Sequence, residues 1–303
     1  MMPLVKRLGF VAMNVVDLDA ATRDTQDIAG ARLIERNGER AVLSSNARRA
    51  ELVFYKSESN AARSIGLEVD NAAAVDEALE RARTAGLTVV TEQPSLEFID
   101  RAFSFLTSED HLIEVHTRVP HDQPRRFLGP GIHPKCIDHV NLVAVDPAKI
   151  AGELQEVLGM QISERTLGRE VSWLRAADGR HHTIGMVKGP RAGIHHFSWE
   201  FDSFEDFRRL GDLLDAEGRA LIWGPGRHGA GDNIFSYYFD AAGFMVECTS
   251  DMETIHDLSE PTRVVDAGAG LSNPKVVNKW GTPPSPVWVQ HHTAFAKPAL
   301  SEA

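Results

Sequence analysis

The stretch IDHVNLVAVD (residues 137–146) decides the fold, because it returns in altered form near the start of the chain as LGFVAMNVVDLD (residues 8–19). Both stretches mix β-branched and apolar residues in an alternating pattern and end at an aspartate, which is typical of a β-strand. Aligning them places Phe10 opposite His139 at an offset of 129 residues. A repeat of this length indicates a duplicated structural unit rather than two unrelated domains.

Two further pairs of stretches repeat at nearly the same distance. They are ARSIGLEVD (62–70) with IHHFSWEFD (194–202), and FSFLTSEDHLIEVHT (103–117) with FSYYFDAAGFMVECT (235–249). The first pair sets Ser64 against His196 at an offset of 132, and the second sets Glu114 against Glu247 at 133, with one residue less in the turn. Such slowly rising offsets are what small loop insertions would produce.

A helix-like stretch follows the second strand of each copy, VDEALERARTAGL (75–87) and FEDFRRLGDLLDAEGR (204–219). Apolar residues at helical spacing and a glycine near the end favour this interpretation. The order of strands and helices predicts an α+β fold of two tandem modules, each made of paired βαβββ units.

The predicted boundaries follow from composition. Residues 1–118 form an N-terminal module, 119–135 a proline-containing linker, 136–256 a C-terminal module and 257–303 a C-terminal tail. The tail carries PPSP and little periodicity, and Trp280 and Trp288 either anchor it or cap a pocket.

The composition of the 303 residues is that of an ordinary globular protein, with 43% hydrophobic and 25% charged residues. A net charge of −11 argues against nucleic acid as a partner, and the absence of a long apolar run argues against a membrane. No secretory signal pattern opens the chain, so we expect the protein in the cytoplasm. Cys136 and Cys248 are the two cysteines and are expected to be reduced thiols.

Histidine and glutamate carry the chemistry. Seven of the thirteen histidines lie between His133 and His228. His139, His196 and Glu247 each fall on a predicted strand, the last within residues 235–251, which the pattern predicts as one strand. Two imidazoles and one carboxylate are the ligand set that holds non-haem Fe(II) on one face. The first copy has Phe10 and Ser64 at the histidine positions, so residues 136–256 are expected to form the metal-binding catalytic module and residues 1–118 a non-catalytic one.

Two histidine pairs are adjacent in sequence, His181–His182 and His195–His196. Because side chains alternate along a strand, only one member of each pair is expected to point into the site. His181 and His195 are therefore expected to be structural or to lie at its rim.

These residues resemble the type I extradiol catechol dioxygenases of the vicinal oxygen chelate superfamily. The resemblance covers most of residues 131–251 and, more weakly, the first copy. It implies that His139, His196 and Glu247 are the metal ligands. One difference concerns an aspartate that some subfamilies have three residues after the position of His228, where this chain has Gly231 followed by Asp232; no role is assigned to Asp232.

Further catalytic residues are implied by spacing within the same resemblance. His182 lies fourteen residues before His196, His228 nine before Tyr237, and Tyr237 ten before Glu247. The resemblance implies that His182 is the acid/base that takes a proton from the diol, and that His228 and Tyr237 hydrogen-bond the substrate oxygen.

The activity that the resemblance implies is insertion of both atoms of O2 into a catechol-type aromatic ring next to the diol, with ring opening. Fe(II) is the expected cofactor and Mn(II) is also possible, since the ligand set suits either. The partners are a small aromatic diol and O2, and the chain is expected to form a homo-oligomer.

Three alternatives stay open. The same ligands would serve a dioxygenase that cleaves hydroquinones, or a glyoxalase-like metal-dependent isomerase, which generally needs a fourth strong ligand or second base. A non-catalytic binding protein of the same fold is the third. Whether the substrate has one ring or two is not fixed by the sequence.

Overall fold

Four βαβββ units follow one another in the computed structural model, which describes residues 3–122, 129–268 and 271–298. The first contains β1 (Val5–Val15), α1 (Leu18–Asp24, continued by the π-helical turn Thr25–Ala29), β2 (Arg32–Arg36), β3 (Arg40–Ser44) and β4 (Leu52–Lys56). The second contains β5 (Ala61–Val69), α2 (Ala72–Thr84), β6 (Thr88–Thr91), β7 (Ala102–Leu106) and β8 (Leu112–His116).

The second half repeats this order. The third unit contains β9 (Cys136–Ala144), α3 (Pro147–Leu158), β10 (Gln161–Thr166), β11 (Val171–Arg175) and β12 (Ile184–Lys188). The fourth contains β13 (Gly193–Glu200), α4 (Phe204–Ala216), β14 (Trp223–Arg227), β15 (Ile234–Phe239) and β16 (Met245–Ser250). After them come β17 (Arg263–Val265), a 3₁₀ turn (Pro274–Val276) and α5 (Pro286–Gln290).

Each half forms one sheet from its two units. The first sheet has the order β2-β3-β4-β1-β5-β8-β7-β6, and the second β14-β15-β16-β13-β9-β12-β11-β10-β17. In both, the units join through their first strands, which run antiparallel as β1 with β5 and β9 with β13. The predicted α+β fold of two tandem modules with paired βαβββ units is confirmed.

Strand register preserves the offsets read from the sequence. Ser64 pairs with Ala12 in the first sheet, and His196 pairs with Asn141 in the second. These are equivalent pairs at offsets of 132 and 129, and the strands carrying Glu114 and Glu247 also face equivalent partners. Equivalent residues therefore occupy equivalent points on the two sheets.

The prediction of one strand over residues 235–251 was wrong, because this stretch is a hairpin of β15 and β16. Asp240 makes the turn, its Oδ1 accepting hydrogen bonds from the amides of Ala242 (2.9 Å) and Phe244 (2.8 Å). Gly243 completes it with a φ of +81°, a conformation that glycine adopts without strain. The hairpin matters for function because it brings Tyr237 directly opposite Glu247.

The helices cover the sheets with one apolar face each. In α4, Phe207, Leu210 and Leu214 are buried at helical spacing. Ser203 caps its start and forms a reciprocal pair of hydrogen bonds with Asp206. Burial of each such side chain contributes about 1.5–3 kcal/mol, so these three hold the helix against the sheet.

The C-terminal tail forms backbone hydrogen bonds with the second sheet at two places. Its strand β17 pairs in parallel with β10 and extends the second sheet. Further on, Thr293 exchanges two backbone hydrogen bonds with Ile194 (2.7 and 2.8 Å). In the predicted linker, residues 123–128 lie outside the described residues. In the described part of the chain, every helix is too short or too polar to cross a membrane.

Candidate metal centre

Three strands of the second sheet bring the predicted ligands together. His139 on β9, His196 on β13 and Glu247 on β16 are all buried. Glu247 Oε2 lies 2.9 Å from His139 Nε2 and 3.0 Å from His196 Nε2. Their ligand atoms all lie within 4.8 Å of one another. The arrangement presents two imidazole nitrogens and a carboxylate to one point.

The residues fit a divalent cation. Burial would raise the pKa of Glu247, but the neighbouring His139 and His196 hold it well below its usual range, so the carboxylate is ionised. Burial would lower the pKa of His139, whereas Glu247 and Asp138 raise it to about 9. Two imidazole nitrogens and an ionised carboxylate oxygen are ligands that suit Fe(II) and Mn(II).

Asp138 hydrogen-bonds the first predicted ligand, His139. Its Oδ2 accepts a hydrogen bond from His139 Nδ1 at 2.6 Å, and Arg180 pairs with its other oxygen. A carboxylate behind a ligating histidine fixes the ring and the tautomer that presents Nε2 to a metal. Sequence analysis missed Asp138, although the Asp-His dipeptide was the available signal. Strict alternation placed the two side chains on opposite faces.

The second predicted ligand, His196, contacts the neighbouring His195. His196 Nδ1 lies 2.7 Å from His195 Nδ1, and His195 Nε2 lies 2.8 Å from the carbonyl oxygen of Trp288 in the tail. Burial, and then the neighbouring His196, hold the pKa of His195 well below its usual range, so its ring is neutral. His195 lines the same cavity as His196, at its tail side.

His182 lies beside the triad. Its ring centroid is 4.4 Å from that of His139, and its Nδ1 lies 3.0 Å from His181 Nδ1. Burial, followed by the neighbouring His139 and His181, holds the pKa of His182 well below its usual range. The ring is therefore neutral, and its Nε2 is the nitrogen left for the cavity.

Tyr237 and His228 lie on the other side of the carboxylate. The Tyr237 hydroxyl is 3.0 Å from His228 Nε2, while His228 Nδ1 is 2.5 Å from the carbonyl oxygen of Val277. Burial and the charge of Glu247 raise the pKa of Tyr237 well above its usual range, so the phenol stays neutral. Asn233, missed in the sequence, donates to Glu247 Oε1 at 3.2 Å.

A cavity of about 640 Å³ opens over these residues. The three ligand residues and His182, His228 and Tyr237 all line it. Its remaining walls are largely apolar and include Val143, Val171, Trp173, Val187, Ala230, Val276 and Trp288. Trp288 thus caps the cavity, one of the two roles expected for it, whereas Trp280 is 46% exposed.

Comparison with known proteins places the chain in a family. The model of the Glyoxalase/Bleomycin resistance protein/Dioxygenase superfamily matches residues 7–115 and again 136–248. The chain belongs to this superfamily. The double match also agrees with the repeat found in the sequence.

Individual relatives span most of this superfamily member. A biphenyl-2,3-diol 1,2-dioxygenase from Pseudomonas sp. (strain KKS102) is 27% identical over 80% of this chain and 88% of its own length. The crystal structure of homoprotocatechuate 2,3-dioxygenase from Arthrobacter globiformis superposes with a TM-score of 0.89 at 19% identity, covering 98% and 94% of the two chains. The Mn(II)-bound glyoxalase from Novosphingobium aromaticivorans gives 0.84 at 25% identity, covering 97% and 96%.

The first superfamily module lacks the triad. Phe10 is buried and stacks on His116 with ring centroids 5.1 Å apart, and Ser64 is buried on β5. Glu114 accepts a hydrogen bond from the Ser95 amide at 3.1 Å, and burial raises its pKa. Phe10 belongs to a buried apolar cluster that includes Val42 and Val53.

A second group of possible ligands, Cys136, Asp138 and Glu200, is occupied by a side chain. The guanidinium of Arg180 contacts Glu200 at 2.6 Å and Cys136 Sγ at 3.4 Å, and also pairs with Asp138. The positive charge that these groups require is thus already present. Asp232, to which the sequence assigned no role, pairs with Arg227 at the protein surface.

Proposed function

We propose that this chain is an Fe(II)-dependent extradiol dioxygenase that opens a catechol-type ring next to the diol and inserts both atoms of O2. Mn(II) is the alternative metal. The observation that carries the proposal is the convergence of His139, His196 and Glu247 at one end of a largely apolar cavity. The dioxygenase activity named for the relative from Pseudomonas sp. supports it.

The metal, when bound, would act as a Lewis acid with an open face for both diol oxygens and for O2, and would lower the pKa of a diol hydroxyl. His139, His196 and Glu247 would hold it. Asp138 and His195 keep the two ligating rings oriented through their Nδ1 atoms.

His182 is proposed as the acid/base. A neutral, buried imidazole next to the ligands can take the proton that a diol hydroxyl releases and return it later. His181 engages its Nδ1, which leaves Nε2 for this transfer.

Tyr237 and His228 are proposed to orient the substrate oxygens. If His228 Nδ1 donates to the Val277 carbonyl, its Nε2 is an acceptor and the Tyr237 hydroxyl donates to it. A diol oxygen placed between the two groups can share these hydrogen bonds.

The apolar walls favour the aromatic body of the substrate. Trp173, Val171 and Val276 form an apolar cluster beside the site that also lines the cavity. Water excluded from such a cavity strengthens the polar interactions at its metal end. We further propose that the enzyme acts in the cytoplasm. We also propose that it forms a homo-oligomer, which the resemblance in its sequence implies.

A metal-dependent isomerase is the second candidate, because the solved Mn(II)-bound glyoxalase shares the fold at 25% identity. The first module offers Phe10 and Ser64 at the positions of the two ligating histidines, so it provides no further ligand there. An isomerase would need no oxygen, and this difference decides between the two candidates.

The test is oxygen uptake by the Fe(II)-loaded protein with catechol and with 2,3-dihydroxybiphenyl, followed in parallel by absorbance of the yellow ring-fission product. We expect one O2 consumed per diol cleaved, and loss of both signals in Glu247→Gln. Absence of oxygen uptake with a panel of substituted diols, together with isomerisation of a hemithioacetal, would replace the dioxygenase by the isomerase.

A further inference from the structure

His195 occupies a β-bulge beside the metal site. On β13, Ile194 pairs with Leu142 and His196 with Asn141. Two adjacent residues of β9 therefore face two residues of β13 that have one residue between them. His195 is the extra residue, and such a bulge turns its side chain away from strict alternation. Its Nδ1 can therefore approach that of His196, the neighbouring metal-directed residue.

The first module, which lacks the predicted ligands, contains the equivalent bulge. Its β5 has the same irregularity, with Ala62 paired to Met13 and Ser64 to Ala12. The extra residue there is Arg63, whose side chain is exposed. The bulge is thus a property of the fold, and the second module places a buried histidine on it.

Only one set of tautomers satisfies the hydrogen bonds around His195. His196 must keep the lone pair of Nε2 free to bind a metal, so its hydrogen is on Nδ1 and is donated to His195 Nδ1. His195 then carries its own hydrogen on Nε2, which faces the Trp288 carbonyl at 2.8 Å. The tautomer of the ligand is fixed by a backbone carbonyl of the tail.

The tail is held at this point by contacts with both modules. Thr293 pairs with Ile194, next to the bulge of the second module. Three residues of chain later, Ala296 donates to Ala62, the residue equivalent to Ile194 in the first module, at 2.8 Å. The ring of Trp288 packs on His195 with centroids 4.6 Å apart.

We propose that His195 is a positioning residue that couples docking of the tail segment 286–296 to the metal affinity of His196. The proposal rests on the metal site of the proposed function, although not on the reaction. It predicts that loss of the His195 contact weakens metal binding without removing a ligand. It also predicts the reverse effect, in which metal binding stabilises the docked tail.

The test measures Mn(II) affinity from the electron paramagnetic resonance signal of free Mn(II) during titration of the full-length protein. His195→Phe, which removes both hydrogen bonds, should weaken binding about 10- to 100-fold. His195→Asn, whose oxygen can still accept from His196 Nδ1, should lose less. His181→Phe is the matched control, because His181 makes the same type of contact with His182, which is not a ligand, and its affinity should stay that of the wild type.

Hydrogen exchange of residues 286–296 gives a readout that is independent of activity. Mn(II) should slow their exchange in the wild type and have little effect in His195→Phe and His195→Asn. Equal Mn(II) affinity in the wild type and both His195 variants would overturn the proposal, even if ring cleavage is confirmed. Tight Mn(II) binding without oxygen uptake would overturn the dioxygenase function alone, and a wild type that binds no Mn(II) would overturn both.

Discussion

His182 differs from the three proposed ligands in its surroundings. Its neighbours on the triad side are a histidine of raised pKa and an ionised carboxylate, and its own ring is neutral and fully buried. A group of this kind can accept a proton, whereas the nitrogens of His139 and His196 that face Glu247 are needed for the metal. We therefore propose different histidines for acid/base catalysis and for metal binding.

Replacing His182 by Phe should leave the metal bound and suppress turnover. The ring volume is kept and no ligand is lost, so we expect unchanged iron content with kcat lower by about 10²- to 10⁴-fold, the usual contribution of a general acid/base. Iron analysis together with oxygen uptake measures both. Normal turnover in this variant would show that His182 has no catalytic role, and iron loss would show that it supports the ligands instead.

The predicted residues could be found because each belongs to a spacing pattern. Asp138 and His195 could not be assigned, since their roles depend on local departures from strand alternation. The bulge at His195 brings its ring next to that of His196, its neighbour in sequence. Asp138 likewise hydrogen-bonds the ring of the next residue, His139. Alternation alone predicts the opposite.

Among the elements, the β15–β16 hairpin has a buried carboxyl group, that of Asp240, at its turn. Asp240 is buried, and burial raises its pKa to about 7, although two backbone amides donate to its Oδ1. Asp24, paired with Arg219, is the other carboxylate nearby. The turn thus favours the protonated form of Asp240, because the pKa of this carboxyl lies far above its ordinary value of 3.8.

Stability should therefore fall with rising pH at this hairpin. A raised carboxyl pKa in the folded state contributes stability that is complete below about pH 4 and is lost as the pH rises to about 7, at about 1.4 kcal/mol for each unit between the two pKa values. Relative to Asp240→Asn, the metal-free wild type should lose up to about 4 kcal/mol over this range. Urea unfolding at pH 4.5 and pH 8 measures the difference, and an equal gap at both values would contradict the assignment.

The element scale also shows what sequence patterns resolve. Apolar periodicity found α2 and α4 and the first strands of each unit, because their buried faces repeat over many residues. The boundary between β15 and β16 and the tail strand β17 were not predicted, since a five-residue turn and a three-residue strand carry too little pattern. Tertiary pairing with β10 defines β17.

At the scale of the whole molecule, the two modules repeat one fold, but only the second module carries the three predicted ligands. Both sheets place equivalent residues at equivalent points, but the ligand positions of the first module hold Phe10 and Ser64, and Phe10 belongs to a buried apolar cluster. The repeat could be predicted from sequence because the offsets are nearly constant. The coupling of the tail to both modules could not, since it depends on backbone contacts that leave no residue pattern.

This asymmetry predicts one metal ion per chain. Among the described residues, two groups of side chains could bind a metal, and Arg180 already occupies the group of Cys136, Asp138 and Glu200, which leaves His139, His196 and Glu247. Glu114 is the matched control for Glu247, being its equivalent and likewise buried. After loading with Fe(II) and dialysis under anaerobic conditions, metal analysis should give about one ion per chain in the wild type and in Glu114→Gln, and far less in Glu247→Gln. Because burial favours the neutral form of Glu114, the amide should not destabilise the first module, and its melting temperature should match the wild type. Two ions per chain, or a loss in Glu114→Gln, would mean that the first module also binds metal.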